Sequence, residues 1–134
     1  MSAPERRFTA VRGEFTELVR LVSMVRTCIA CPSQWEGLTA DGRQWYGRYR
    51  GSHGSLQVGA LGDTSEFAGC GGDYVMRFRR EEQGKQAGWD GDMSNAEFYA
   101  LAASFVTWEC PSPPEPTFDA NFDLLDLTPG TPSA

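Results

Sequence analysis

Two hydrophobic periods organise the chain, one of three to four residues and one of two. In GEFTELVRLVSMVRTCIA, Phe15, Leu18, Val22, Val25 and Ile29 recur at steps of three and four, while Thr16, Arg20, Ser23 and Thr27 take the opposite side. That stripe predicts an amphipathic N-terminal helix, ended by Pro32, which has no N–H with which to continue it. SNAEFYALAASFVTWE predicts a C-terminal helix: Ser94 and Glu97 have the spacing of a capping box, and Phe98, Leu101, Ala102, Phe105 and Trp108 make one apolar face.

Between them the period falls to two. Asp41-Gly42 is a strong hairpin signal, because a type I′ turn needs positive φ at both central positions. With Ala40 and Arg43 flanking the turn, Leu38 lies opposite Trp45, Glu36 opposite Gly47 and Gln34 opposite Tyr49. A second reversal over Gly51-Ser52-His53-Gly54, with Arg50 facing Ser55, sets Leu56 beside Tyr49, Val58 beside Gly47 and Ala60 beside Trp45. One face of this meander then carries Leu38, Trp45, Tyr49, Leu56, Val58 and Ala60; the other carries Trp35, Thr39, Tyr46, Arg48, Arg50, Ser55 and Gln57. DYVMRFRR, in which Tyr74, Met76 and Phe78 alternate with Val75, Arg77 and Arg79, predicts a fourth strand. The expectation is an α+β domain over residues 13–110: a four-stranded, mainly antiparallel sheet with an N-terminal and a C-terminal helix, the latter packed on the sheet's apolar face. Residues 1–12 form an N-terminal arm. Residues 111–134, proline-rich and acidic, form a flexible tail.

The 134 residues suit one domain, and no apolar run reaches the roughly 20 residues that a membrane-spanning helix needs. With no signal-like N-terminus, the expected location is the cytoplasm. The net charge of −6 is uneven. Residues 1–50 hold eight Arg against five acids, whereas residues 111–134 hold Glu115, Asp119, Asp123 and Asp126 with no base. An acidic chain is a poor non-specific ligand for nucleic acid, so a protein partner is favoured over a nucleic acid and no membrane is expected.

Few residues carry the makings of chemistry. Trp35, Tyr46, Arg48 and Arg50 share the wet face, and Trp, Tyr and Arg are the residue types that anchor protein interfaces. Glu36 falls on the apolar face near Tyr49, where a carboxylate needs a donor or a raised pKa, and together they outline a small-molecule pocket or a minimal enzyme site. Cys28-Ile29-Ala30-Cys31 has the C-x-x-C spacing, but at a helix C-terminus the dipole opposes a thiolate. A zinc site would have to recruit Cys70 and Cys110 without a second such pair. The acidic run near Asp90 lacks a calcium loop's glycine and closing glutamate, and GCGGD lacks the Lys of a phosphate loop. No catalytic residue, cofactor or metal is expected. In the tail, Phe118, Phe122, Leu124 and Leu125 lie among acids, the composition of a segment that orders on binding.

The string CPSQWEGLTADGRQWYGRYRGSHGSLQVG resembles a pattern in small uncharacterised proteins of actinobacteria and their phages. The likeness rests on Pro32, Ser33, Gln34, Trp35, Glu36, Asp41, Gly42, Tyr46, Arg48, Tyr49 and Arg50. It implies the hairpin and a phage or actinobacterial source, and it brings no activity or site residue with it. The expected function is a non-catalytic protein-interaction module, such as a phage accessory protein that binds and modulates a host protein. Alternatives are a ligand-binding protein or small enzyme around Glu36 and Tyr49, and a structural component of a virion or other assembly.

Overall fold

The computed structural model describes residues 7–29, 33–60, 72–81 and 92–116. In chain order the elements are β1 (Phe8–Arg12), β2 (Val19–Leu21), β3 (Val25–Cys28), β4 (Ser33–Leu38), β5 (Gln44–Arg50), β6 (His53–Val58), β7 (Asp73–Arg80), α1 (Asn95–Ala102) and β8 (Val106–Trp108). Six strands form an antiparallel sheet in the order β1-β7-β6-β5-β4-β3, and β2 and β8 form a short parallel pair. The fold is therefore mostly β, with one short helix among the described residues, and the expected four-stranded α+β arrangement with two flanking helices is corrected.

The N-terminal helix is replaced by β2 and β3. Apart from the half-buried Phe15, its expected apolar stripe is the side left in water: Leu18 is 52% exposed and Val25 58%, while Val19, Leu21 and Met24 are buried. Val19, Val22 and Val25 are β-branched, stiff at χ1 and better accommodated on a pleated surface than in a helix. In Val19-Arg20-Leu21 the period is two, buried, exposed, buried. The C-terminal helix is shorter than its stripe. Its capping box forms as expected, the Ser94 hydroxyl accepting from the Glu97 N–H and the Glu97 carboxylate accepting from the Ser94 N–H. The helix stops at Ala102, and Val106-Thr107-Trp108, rich in strand formers, pairs with Val19-Arg20-Leu21.

Both hairpins form, each in a different register from the one expected. At the first, Thr39 and Arg43 bond to each other, Thr39 N–H to the Arg43 carbonyl at 2.8 Å, and Gly42 takes φ +88°. Three residues, Ala40-Asp41-Gly42, make the loop, the other common hairpin solution that carries glycine in the left-handed region. β4 is thereby shifted by one residue against β5, with Trp35 opposite Gly47 and Glu36 opposite Tyr46. A slip of one turns every side chain of a strand over. At the second, Gly51 (φ +61°) and Ser52 (φ +67°) form a two-residue turn with Arg50 opposite His53. This departs from expectation by two residues, so Trp45, Tyr49, Leu56 and Val58 stay on the inner face, all buried.

That inner face is covered by α1 and the β2–β8 pair. Phe98 of α1 stacks on Trp35 with ring centroids 4.2 Å apart, lies 6.2 Å from Trp45 and meets Phe78 edge-on at 6.1 Å. Beneath it, glycine is required at position 47, since a Cβ there would stand 2.5 Å from Phe98 Cζ.

A buried polar clasp fixes the end of the fold. Asn95, at the first position of α1, accepts through Oδ1 from Trp35 Nε1–H and from Arg26 Nη1–H, both at 2.8 Å. Its Nδ2 donates to the carbonyls of Pro113 (3.3 Å) and Pro114 (2.9 Å). The Glu115 carboxylate accepts from the N–H groups of Asn95 (2.8 Å) and Ala96 (2.9 Å), supplying negative charge where the helix dipole favours it. Arg26 also donates to the Met93 carbonyl and to Ser33 Oγ, and its guanidinium lies 5.1 Å above the Trp35 ring. Burial lowers the Arg26 pKa, opposed by Asp92 and Glu115.

A fork between Arg20 of β2 and Glu109, just after β8, links the ends of the parallel pair: Arg20 Nε and Nη2 each donate to one carboxylate oxygen. The hydrogen bonds from Arg20 hold the Glu109 carboxyl below its usual range. A depressed folded-state pKa adds stability above the unfolded pKa and loses it as pH falls through the folded one. The stability gap between wild type and Glu109→Gln, measured by urea unfolding, is therefore expected to be largest near neutral pH and to close as pH is lowered below about 4. A gap that is flat or widens towards acid would contradict this assignment.

Candidate functional site

The sheet's outer face is set by the same register that fills the core. Three successive rows cross β5, β6 and β7: Tyr46–Gln57–Tyr74, Arg48–Ser55–Arg77 and Arg50–His53–Arg79. Long side chains on β5 and β7 thus flank shorter polar ones on β6. Strands lie about 4.8 Å apart and alternate residues about 6.7 Å apart, so the four arginine backbones mark a rectangle of roughly 10 by 7 Å. Arg48, Arg50, Arg77 and Arg79 are all exposed, and none of the four forms an ion pair with a described residue. Arg77 instead lies over the Tyr74 ring, 3.9 Å from its centroid. A recess of about 370 Å³ opens here, lined by Arg48, Arg50, His53, Ser55, Tyr74 and Arg77 among others.

Of the surface residues expected from sequence, Tyr46, Arg48 and Arg50 are on this face. Trp35 is not: the one-residue register shift turns it inward, where it is fully buried. Phe118, Phe122, Leu124 and Leu125 lie outside the described residues. The expected pocket is divided by the sheet. Glu36 is on the outer face between Tyr46 and Val25, whereas Tyr49 is buried on the inner one, stacked on Phe78 at 5.8 Å and edge-on to Phe8 at 5.7 Å. Sequence reasoning left Arg77, Arg79 and His53 out of the site. The alternation of DYVMRFRR already put both arginines opposite Met76 and Phe78; the missing knowledge was that β7 pairs with β6.

A second recess, about 360 Å³, lies between residues 15–20 and the first hairpin tip. Of its charged residues, Arg20, Asp41 and Arg43 are already paired. Arg43 lies 3.1 Å from Asp41 and over the Phe15 ring, Arg20 is held by Glu109, and hydrogen bonds from Thr39 and then Arg43 lower the Asp41 pKa. Burial raises the Cys110 thiol pKa, the reverse of what a nucleophile needs. Among the described residues no three His, Cys, Asp or Glu side chains gather as metal ligands, and Cys31 and Cys70 lie outside those residues. No helix among the described residues is long and apolar enough to cross a membrane. Comparison with family models, with curated proteins and with solved structures gave no match.

Proposed function

We propose that the protein is a non-catalytic protein-interaction module, a phage accessory protein acting in the host cytoplasm, and that its partner docks on the outer sheet face. One observation carries this reading: four exposed guanidiniums on β5 and β7 without ion-pair partners among the described residues. Arg48 faces Arg77, and Arg50 faces Arg79, across β6 with only Ser55 and His53 between them, so their like charges repel with no acid interposed. An acidic protein surface would gain both steering and Arg-centred contacts from the array. Nucleic acid is less well supported. A single-strand platform needs open aromatic planes, the Tyr74 ring is covered by Arg77, and the chain as a whole carries −6.

Affinity capture from a host lysate tests the reading, with wild type beside Arg48→Glu/Arg77→Glu. Loss of two central arginines is expected to weaken recovery of the specific partner by at least about tenfold. Identical recovery by both proteins would remove the outer face from consideration.

A further inference from the structure

We propose that the arginine face has an occupant within the chain itself: residues 118–127, FDANFDLLDL, dock on it in cis, and an external partner must displace them. The proposal rests on the outer face being the docking surface.

Composition, position and reach support this occupant. The segment carries Asp119, Asp123 and Asp126 with no base, among Phe118, Phe122, Leu124, Leu125 and Leu127. The outer face is its chemical counterpart. Beside the four arginines it exposes Val11 on β1, 56%, Val25 on β3, 58%, and Leu38 at the end of β4, 41%. Carboxylates meeting guanidiniums, with apolar groups on the flanks, would cover both features at once.

The chain is directed to the right edge of the sheet. Residues 113–115 are held to the start of α1 through Asn95 and Ala96, and Asn95 in turn is bonded to Arg26 on β3, the sheet's edge strand. A segment leaving Pro116 therefore starts beside β3 and need only round that edge to meet the outer face. From β3 to β7 is four strand spacings, about 20 Å, and residues 117–126, up to the last of the three aspartates, can span roughly 33 Å when extended. Tethering at so short a range gives an effective concentration in the millimolar range, so even weak contacts keep the face occupied.

The test uses a fluorescein-labelled synthetic peptide of residues 117–134 as probe, titrated by anisotropy at low salt with three full-length proteins. These are wild type, the tail variant Asp119→Asn/Asp123→Asn/Asp126→Asn, and the tail variant carrying Arg48→Glu/Arg77→Glu in addition. The neutralised tail vacates the face, so the tail variant is expected to bind the peptide at least about tenfold more tightly than wild type. The added arginine reversals are expected to abolish binding, and Arg50→Glu/Arg79→Glu gives a second, independent reversal. No binding by the tail variant, or binding indifferent to both arginine pairs, would overturn the proposal. So would equal binding by wild type and tail variant. A wild-type dimer that the tail variant does not form would assign the face to a second copy's segment and overturn docking in cis. If the peptide fails to bind while lysate capture still depends on Arg48 and Arg77, the internal occupant falls and the docking surface stands.

Discussion

Phe98→Ala is expected to cost about 3–5 kcal/mol of unfolding free energy, and Gly47→Ala about 1–3 kcal/mol, with the double variant costing less than their sum. Phe98 is fully buried in a slot walled by Trp35 and Trp45 and floored by Gly47. Removing the ring leaves a cavity lined by rigid aromatic groups that cannot collapse into it. Adding a Cβ at Gly47 drives a methyl into the ring edge, 2.5 Å from Cζ. Once the ring is absent that methyl has room, so the two costs are coupled. Guanidinium unfolding of the four proteins in a double-mutant cycle measures the coupling. Simple additivity would mean that Phe98 does not rest on Gly47.

Asn95→Leu is expected to cost about 2–4 kcal/mol, although the two side chains have similar volume. The leucine leaves the buried Trp35 N–H without its acceptor, takes one acceptor from the largely buried Arg26, and frees the Pro113 and Pro114 carbonyls. Asn95→Asp keeps the acceptor for Trp35 and Arg26 and adds a charge that the Arg26 guanidinium faces, but sets an oxygen against the two carbonyls to which Nδ2 donated, so its cost should remain real yet smaller than that of Asn95→Leu. Equilibrium unfolding gives the order, and hydrogen exchange shows where it acts: in Asn95→Leu, amides of α1 should lose protection before those of β5 and β6. Equal losses for the two substitutions would mean that the acceptor role of Asn95 is not what holds the clasp.

The parts of the fold legible in sequence are those fixed by neighbours along the chain. Ser94 and Glu97 cap α1 because both partners lie within four residues, and the alternation of Trp45, Tyr49, Leu56 and Val58 gave the inner face despite a two-residue error in pairing. Trp35 and Glu36 were exchanged between faces because Asp-Gly serves both a two-residue turn and a three-residue loop ending in glycine. Nothing in residues 40–43 chooses between them; burial of the Trp35 indole against Phe98 does. The valine-rich stretch at 18–29 satisfies a helical period and a strand propensity together. Its fate was decided by pairings with Glu36 of β4 and with Val106-Thr107-Trp108, far away in sequence. For the candidate site, Tyr46, Arg48 and Arg50 were legible as a local alternation. Arg77 and Arg79 joined them through β6–β7 pairing across a connection whose residues do not specify it.

The parallel β2–β8 pair also bears on how the chain folds. Residue 21 meets residue 108, so closing that pairing loses the entropy of a loop comprising most of the domain, while the β4–β5–β6 meander closes on itself over a few residues. During synthesis β2 can bond early to the end of β4, through the Val22 N–H to the Leu38 carbonyl and the Ala40 N–H to the Arg20 carbonyl, but its other edge waits for β8 until nearly the whole domain has been made. The meander provides the early scaffold, and the last step of assembly is the docking of α1 and β8 over the tryptophans.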